Sequence, residues 1–340
     1  MSEIRYDKLH DTHVIIAPER LRRPDCNLGH DPLHTQRTCP FCEGNEGITP
    51  PEIFAIRSAL STENTPGWQT RVVPNLYKAV QIETPDTHHL GIFEYWEGFG
   101  AHEIIIDTPS HYTSMVEWSL EDTVSWLKTL RQRIGDLRRD NRIAYISLFK
   151  NEGFQAGSTQ SHSHTQLIGL PIIPRVQEER YRRTLHHFLT TQQALVETVL
   201  THEADASVRI VAREGDFTAF CPYASGYPFE VMITSSRAIG QIDTLQDGAI
   251  NDLSILLRVI LQKLKRQLGC LHFNLWIDTP PLYPVMWDGR VIEVDAAYRF
   301  AIRIMPRVFR SGGFESGTGM MINPVLPELA AKLLRGGENG

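Results

Sequence analysis

The same order of predicted elements, strand, helix and strand, occurs once in each half of the chain. In the first half, apolar runs and helical spacing predict these three elements at residues 103–107, 120–137 and 143–149. In the second half, the corresponding segments are residues 229–233, 250–264 and 271–277. The repeat predicts an α+β fold with duplicated halves and a mainly antiparallel sheet flanked by helices. We place the N-terminal half at residues 1–172 and the C-terminal half at residues 173–340.

Further elements are predicted around this repeated unit. Ser119 and Asp122 resemble a capping box at the start of the first helix. Apolar spacing predicts one long helix from Gln177 to about Glu203. Additional strands and a final helix are predicted at residues 14–17, 71–73, 208–212, 217–221, 300–305 and 327–335.

Composition restricts the class of protein. The chain has 340 residues, of which 41% are apolar and 22% charged, so a disordered chain, a collagen and a coiled coil are excluded. The net charge of −6 argues against general attraction to nucleic acid. No apolar run is long enough for a membrane span, and the polar N-terminus is not typical of a signal peptide. Five cysteines suit a reducing compartment, and we expect a cytoplasmic protein.

Cys39 and Cys42 form a CxxC motif within a segment that is otherwise irregular. Two thiolates at this spacing can bind one tetrahedral Zn²⁺. Two buried cysteines beside a turn are the alternative, and a redox role is disfavoured because no helix pattern follows directly. Since the sequence has no second CxxC, we expect histidines to supply the remaining ligands.

His162 and His164 are two positions apart, just before an apolar strand that includes Leu167 and Ile168. Alternate residues of a strand share a face, so both imidazoles would lie side by side. Both could bind metal, or one could bind metal while the other performs chemistry. The alternative is a polar edge strand with two solvated histidines.

The segment from Asn151 to Gln166, with its Ser-His-Ser-His-Thr-Gln motif, resembles an active-site segment of a known family. That family is the galactose-1-phosphate uridylyltransferase branch of the histidine-triad superfamily. Matching motifs extend along almost the whole chain, at residues 20–24, 39–42, 74–77, 102–111, 222–230 and 312–315. The resemblance implies histidine-triad-like halves and a homodimer.

The resemblance also implies the site residues. One structural Zn²⁺ per chain would be held by Cys39, Cys42, His111 and His162. His164 would be the nucleophile, and Gln166 would bind a phosphate oxygen. The nucleotide and its phosphates would be bound by Arg20, Arg23, Asn75, Tyr77, Asn151, Gly157, Ser158 and Thr159.

Two regions depart from the uridylyltransferase pattern. Some members hold a second metal in the C-terminal half, and we expect none here because the matching positions are Arg180, Asp278, Ala301 and Arg303. The tail after Gly313 is similar to the ADP-glucose phosphorylase type, which implies an acceptor site at Arg303, Phe314, Glu315, Gly317, Thr318 and Gly319. The alternatives are a tight glycine-rich turn and a solvated run of arginines.

These observations lead to one expected activity. The chain would move a nucleoside monophosphate, with AMP favoured, from ADP-glucose or adenylylsulfate to phosphate or a phosphorylated acceptor. A covalent nucleotidyl-His164 would make the kinetics ping-pong. The alternatives are a UDP-glucose:hexose-1-phosphate uridylyltransferase, a histidine-triad nucleotide hydrolase and a nucleotide-binding module that has lost catalysis.

Overall fold

The structure, a computed structural model, describes residues 3–16, 18, 38–112 and 114–336. Its strands are β1 (Glu3–Asp7), β2 (Thr12–Ile16), β3 (Phe54–Arg57), β4 (Trp68–Pro74), β5 (His88–His89), β6 (Tyr95–Trp96), β7 (Ala101–Ile106), β8 (Tyr145–Glu152), β9 (His164–Leu170), β10 (Ile210–Glu214), β11 (Phe217–Phe220), β12 (Val231–Ser235), β13 (Phe273–Asp278), β14 (Val285–Trp287), β15 (Arg290–Ile292), β16 (Ala301–Pro306) and β17 (Met321–Asn323). Its α-helices are α1 (Leu120–Leu137), α2 (Arg175–Thr191), α3 (Leu195–Ala206), α4 (Asp247–Leu268), α5 (Val294–Ala297), α6 (Gly313–Thr318) and α7 (Pro327–Leu334).

One antiparallel sheet of ten strands carries the repeat. Its strand order is β10-β11-β12-β16-β13-β8-β9-β7-β4-β3. Outward from β8 the order is β9, β7, β4 and β3, and outward from β13 it is β16, β12, β11 and β10. The two halves therefore have the same topology. The helix α1 joins β7 to β8, and α4 joins β12 to β13. This confirms the predicted α+β fold, while the division at residue 172 stays a prediction.

Helices α1 and α4 cover one face of this sheet and form the main core with it. The α1 helix begins at the capping box, where the Ser119 hydroxyl accepts from the Asp122 backbone N–H. Fully buried side chains of the two helices include Trp126, Leu130, Ile134, Leu253, Leu257, Ile260 and Leu264. Burial of each aliphatic side chain of this size contributes about 1.5–3 kcal/mol.

The face of β9 that carries the site is set by strand alternation. The indole N–H of Trp126 on α1 donates to the Thr165 hydroxyl over 2.9 Å, so Thr165 faces the helices. His164 and Gln166, its neighbours on β9, therefore face the opposite side of the sheet.

The two ends of the chain meet in a separate sheet of three strands, β1-β2-β17. β17 pairs in parallel with β2, where Met321 lies opposite Val14. Arg5 on β1 forms an ion pair with Glu328 on α7 at 2.9 Å. N-terminal and C-terminal segments are thus held by both backbone and side-chain bonds.

The predicted long helix over 177–203 is wrong in one respect. The chain forms two helices, α2 and α3, with a break at Gln192, which has the left-handed conformation at φ 59°. The break lets α3 pack back against α2. No glycine or proline marks it in the sequence, so apolar spacing alone did not reveal it. In the described part of the chain, no helix is long and apolar enough to cross a bilayer.

A close contact between the halves lies at Gly153, directly after β8. Gly153 has φ +81°, and a Cβ atom there would lie 1.7 Å from Nδ1 of His272, which precedes β13. Gly157 in the same loop has φ +82°, but a Cβ atom there would have no neighbour within 4 Å. Glycine is therefore required at position 153 by both the backbone conformation and the contact with His272, and at position 157 by the backbone conformation alone.

We expect Gly153→Ala to lower the free energy of unfolding by more than Gly157→Ala does. In the left-handed conformation of Gly157, alanine costs about 1–2 kcal/mol. Gly153 has ψ 159°, where alanine costs about 1–3 kcal/mol, and overpacking against His272 adds about 1–3 kcal/mol. Denaturant unfolding of both variants measures the difference. Equal losses for the two variants would show that the His272 contact is loose.

Candidate active site and metal site

His164 opens β9, and its ring is oriented by the backbone. Its Nδ1–H donates to the carbonyl oxygen of His162 over 2.9 Å, which leaves the lone pair on Nε2. The side chain is buried, and burial together with the Lys150 charge lowers the pKa of His164. A neutral imidazole with one free lone pair can act as a nucleophile.

His162 is oriented in the opposite sense, toward two thiols. Its Nε2–H donates to the carbonyl oxygen of Thr108 over 2.9 Å, so Nδ1 faces Cys39 and Cys42 at 3.6 Å from each Sγ. His111 Nδ1 lies 3.2 Å from Cys42 Sγ. A carbonyl partner on the second nitrogen is the usual support for a metal-binding histidine.

The four predicted metal ligands lie together. The donor atoms of Cys39, Cys42, His111 and His162 are all within 4.8 Å of one another. Burial and the adjacent Cys39 thiol raise the pKa of Cys42 to about 11, and a bound cation would favour the ionised form of this thiol. A Cys₂His₂ set of this size fits a tetrahedral metal ion. Among the described residues, no other such group of histidine, cysteine and acidic side chains is found.

A buried cation that sequence reasoning missed lies behind the two histidines. Lys150 on β8 is 1% exposed, and its Nζ donates to Asp107 over 2.8 Å and to the Ser163 hydroxyl over 2.7 Å. A third bond, of 3.2 Å, reaches the carbonyl oxygen of His164. Lys150 thus ties the end of β7 to the start of β9. In the sequence, the indication of this buried charge was a lysine at a position of the apolar strand β8 where the side chain faces the core.

Glu152, also facing the helices from β8, completes this buried charge cluster. Burial raises the pKa of Glu152 to about 7. Its carboxylate accepts from the Ser114 hydroxyl over 2.7 Å and from the Met115 backbone N–H over 2.8 Å. Its oxygens are therefore engaged by the segment before α1.

A cavity of about 400 Å³ brings many of the predicted residues together. His164 lines it with His111, His162, Asn151, Ser158 and Thr159. Gly157 lies within the same loop. The C-terminal half supplies further lining residues that sequence reasoning missed, namely Lys265, Cys270, Leu271 and His272. In the sequence, the only indication of a role for these residues is that they lie at the end of α4 or between α4 and β13, beside the central β8–β13 pair.

Gln166 is linked to the predicted nucleoside residues through His102 on β7. His102 Nε2 lies 3.4 Å from Gln166 Oε1 and 2.9 Å from the side-chain nitrogen of Asn75. The side-chain oxygen Oδ1 of Asn75 accepts from the Tyr77 backbone N–H over 2.9 Å, while the Tyr77 ring is exposed. Gln166 and Asn75 are thus brought together, although His102 was not predicted as a site residue. Arg20 and Arg23 lie outside the described residues.

The predicted acceptor residues lie elsewhere in the structure. Arg303 on β16 is buried, and its Nε donates to Glu230 over 3.0 Å, so its charge is balanced. The predicted glycine-rich turn is instead the short exposed helix α6, where Glu315 accepts from the Gly312 backbone N–H over 2.8 Å. Within the described part of the chain, no residue lining the cavity comes from the set Arg303, Phe314, Glu315, Gly317, Thr318 and Gly319. Their role as an acceptor site stays a prediction.

The positions that match the second metal site of some family members also carry balanced charges. Arg180 forms an ion pair with buried Asp278 at 2.5 Å, and His10 Nε2 lies 3.2 Å from the same carboxylate. Ala301 and Arg303 lie on β16. Asp278 is therefore engaged by cationic or hydrogen-bonding groups.

Comparison with known proteins agrees with this geometry. Residues 1–174 match the family model of the galactose-1-phosphate uridyl transferase N-terminal domain. An ADP-glucose phosphorylase from Arabidopsis thaliana is 32% identical over 98% of this chain and 92% of its own length. A galactose-1-phosphate uridylyltransferase from Thermotoga maritima is 24% identical over 98% of each chain.

A solved structure extends the comparison to the whole fold. The crystal structure of an ADP-glucose phosphorylase from Arabidopsis thaliana with bound ADP-glucose has a TM-score of 0.82 and 31% identity, and the match covers 100% of both chains. The resemblance noted from the sequence motifs is confirmed. The chain belongs to the galactose-1-phosphate uridyl transferase family and is a nucleotidyltransferase.

Proposed function

We propose that the chain transfers AMP from ADP-glucose to phosphate through a covalent adenylyl-His164. The observation that carries this proposal is the hydrogen bond from His164 Nδ1 to the His162 carbonyl, which leaves Nε2 as a nucleophile on the cavity wall. A ring that can rotate would lose much of its nucleophilic advantage, because reaction needs a fixed line of attack.

Two displacements at phosphorus make up the reaction. In the first, His164 Nε2 bonds to the α-phosphorus of ADP-glucose, and the bond to the bridging oxygen breaks, releasing glucose 1-phosphate. In the second, an oxygen of inorganic phosphate bonds to the same phosphorus, the P–N bond breaks, and ADP leaves. His164 returns to its neutral form, and its Nδ1–H remains on the His162 carbonyl throughout.

Charge on the phosphate oxygens is stabilised by fixed donors. Gln166 faces the same side of the sheet as His164, and Asn151, Ser158 and Thr159 line the cavity. Preorganised donors of this kind contribute most where charge develops in the transition state. Loss of one of them costs about 10²–10³ in rate by analogy with oxyanion holes.

Zn²⁺ fits the four-ligand group and would have a structural role. Cys39, Cys42, His111 and His162 would hold it, and four protein ligands leave no open position for substrate. Bound there, the ion supplies a rigid link. His162 then stays fixed, and with it the carbonyl that orients His164.

AMP is favoured over UMP by the relatives. The Arabidopsis thaliana ADP-glucose phosphorylase is 32% identical to this chain, and the Thermotoga maritima uridylyltransferase is 24% identical. Adenylylsulfate as donor, UMP transfer and transfer to water are the competing reactions. A cytoplasmic homodimer also stays a prediction.

ADP-glucose labelled at its α-phosphate should label about one site per chain when no acceptor is present, since the intermediate is covalent. His164→Asn should abolish the label because Asn has no equivalent nucleophile. His202→Asn, at an exposed position on α3, should retain it. UDP-glucose and adenylylsulfate are tested in parallel, and a label that survives in His164→Asn excludes the mechanism.

Labelled inorganic phosphate should exchange into ADP in the absence of any sugar phosphate. Reversal of the second displacement regenerates phosphate and adenylyl-enzyme, so exchange needs no other substrate. Chromatography of ADP measures it. Release of AMP without exchange would instead indicate hydrolysis.

Elemental analysis should give about one Zn²⁺ per chain, as one four-ligand site requires. Cys39→Ser should lose the metal and lower the melting temperature, since structural zinc binding contributes to folding. Cys270→Ser, at an exposed cysteine outside the ligand group, should keep it. Two metal ions per chain would contradict our expectation for the C-terminal half.

A further inference from the structure

We propose that Asn274, in the C-terminal half, is a positioning residue that turns the amide of Asn151 so that its N–H groups face the phosphates of the donor. The inference rests on the proposed function, in which Asn151 binds phosphate. It assigns the second copy of the fold an indirect part in the reaction, through Asn151, although His164 and the phosphate loop belong to the first copy.

The position of Asn274 follows from the pairing of the halves. β8 and β13 are the central pair of the sheet, and Asn274 lies directly opposite Asn151 in their antiparallel register. The Nδ2 group of Asn274 donates to Asn151 Oδ1 over 2.7 Å. Side chains opposite each other in such a pair lie on the same face, so this bond lies beside the cavity that Asn151 lines.

The chemical consequence concerns which end of the Asn151 amide is available. An asparagine amide has an oxygen that accepts and a nitrogen that donates. Because Asn274 occupies the oxygen, the nitrogen is the end left for a ligand. Phosphate oxygens accept hydrogen bonds, so this orientation attracts them, whereas the flipped amide would present an oxygen and repel them.

A second bond extends the effect to the loop. Asn274 Nδ2 also donates to the carbonyl oxygen of Ala156 over 2.9 Å. Ala156 ends the single helical turn after Gly153, and the Gly157 backbone N–H closes that turn on Phe154 over 3.0 Å. Ser158 follows directly and lines the cavity. One side chain therefore holds two parts of the phosphate site.

Backbone pairing does not need this side chain. β8 and β13 pair along their length through the main chain, from Phe273 opposite Glu152 to Ile277 opposite Leu148. Asn274 is half-buried, and both bonds of its amide nitrogen reach the phosphate loop or Asn151. The side-chain bonds of Asn274 therefore position site residues, whereas the backbone bonds between β8 and β13 hold the two halves together.

A double-mutant cycle on the full-length protein tests the inference. The variants are Asn151→Ala, Asn274→Leu and the double variant, where leucine has nearly the size of asparagine but no donor. The rate of His164 adenylylation by ADP-glucose and the Kd for ADP are both measured. Melting temperature shows that each variant is folded.

If Asn274 acts through Asn151, its substitution matters only while Asn151 is present. We expect Asn151→Ala to slow adenylylation about 10²-fold and Asn274→Leu about 10-fold. In the Asn151→Ala background, Asn274→Leu should slow adenylylation by less than about threefold, because only the contact of Asn274 with Ala156 remains to be lost. Independent losses that multiply in the double variant would overturn the inference.

Two further measurements separate this role from a structural one. Asn274→Asp keeps the shape but removes the donors, so the Asn151 amide should flip and the loss should at least equal that of Asn151→Ala. Gln241→Ala is the matched control, since the Gln241 amide donates to the Pro280 carbonyl over 2.7 Å away from the site. It should lower the melting temperature and leave adenylylation within about twofold.

The outcome also distinguishes the inference from the proposed function. If the wild-type protein is labelled but the losses in the double-mutant cycle are additive, only the proposed role of Asn274 is contradicted. A wild-type protein that is never labelled contradicts the covalent mechanism. In that case the cycle measured on the Kd for ADP still decides whether Asn274 acts through Asn151.

Discussion

Two backbone carbonyls determine what the paired histidines can do. The Thr108 carbonyl takes the Nε2–H of His162 and turns its Nδ1 toward the thiols, whereas the His162 carbonyl takes the Nδ1–H of His164 and frees its Nε2. The same residue type therefore receives opposite orientations two positions apart, at His162 just before β9 and at His164, the first residue of β9. The second carbonyl belongs to the residue that faces the thiols, so the four-residue group that could hold a metal ion is joined directly to the proposed nucleophile.

Buried charge on the other side of the sheet supports this arrangement. Lys150 reaches Asp107, Ser163 and the His164 carbonyl, and Asp107 directly precedes Thr108. Loss of one partner of such a buried pair leaves an uncompensated charge, which costs about 3–5 kcal/mol. The start of β9 is thus held from the helix side by an ion pair and from the site side by the histidines.

Local patterns in the sequence predicted most of the elements and two candidate site motifs because each depends on spacing along the chain, whereas the full ligand set and the role of His164 as nucleophile came only from the family resemblance. The repeat of strand, helix and strand specified the sheet, and the two short motifs specified Cys39, Cys42, His162 and His164. The candidate ligand His111 came from the family resemblance, and it lies with Cys39, Cys42 and His162 as the resemblance implied.

Other features depend on contacts between distant segments, which spacing does not encode. Lys150 and Asn274 acquire their partners only when β8 meets β7 and β13. The bond between Arg303 and Glu230 likewise forms only when β16 meets the residue that precedes β12, while the acceptor role of Arg303 stays a prediction. The break at Gln192 reflects the packing of α3 on α2, since no local residue type demands it.

The sheet formed by β1, β2 and β17 has a consequence for biosynthesis. β2 lies at Thr12–Ile16 and β17 at Met321–Asn323, so the partner of β2 leaves the ribosome long after β2 itself. Until then the first hairpin has an open edge, and Arg5 lacks Glu328. A hairpin of two strands is marginally stable alone, so the β1–β2 hairpin reaches its final stability only long after its own synthesis.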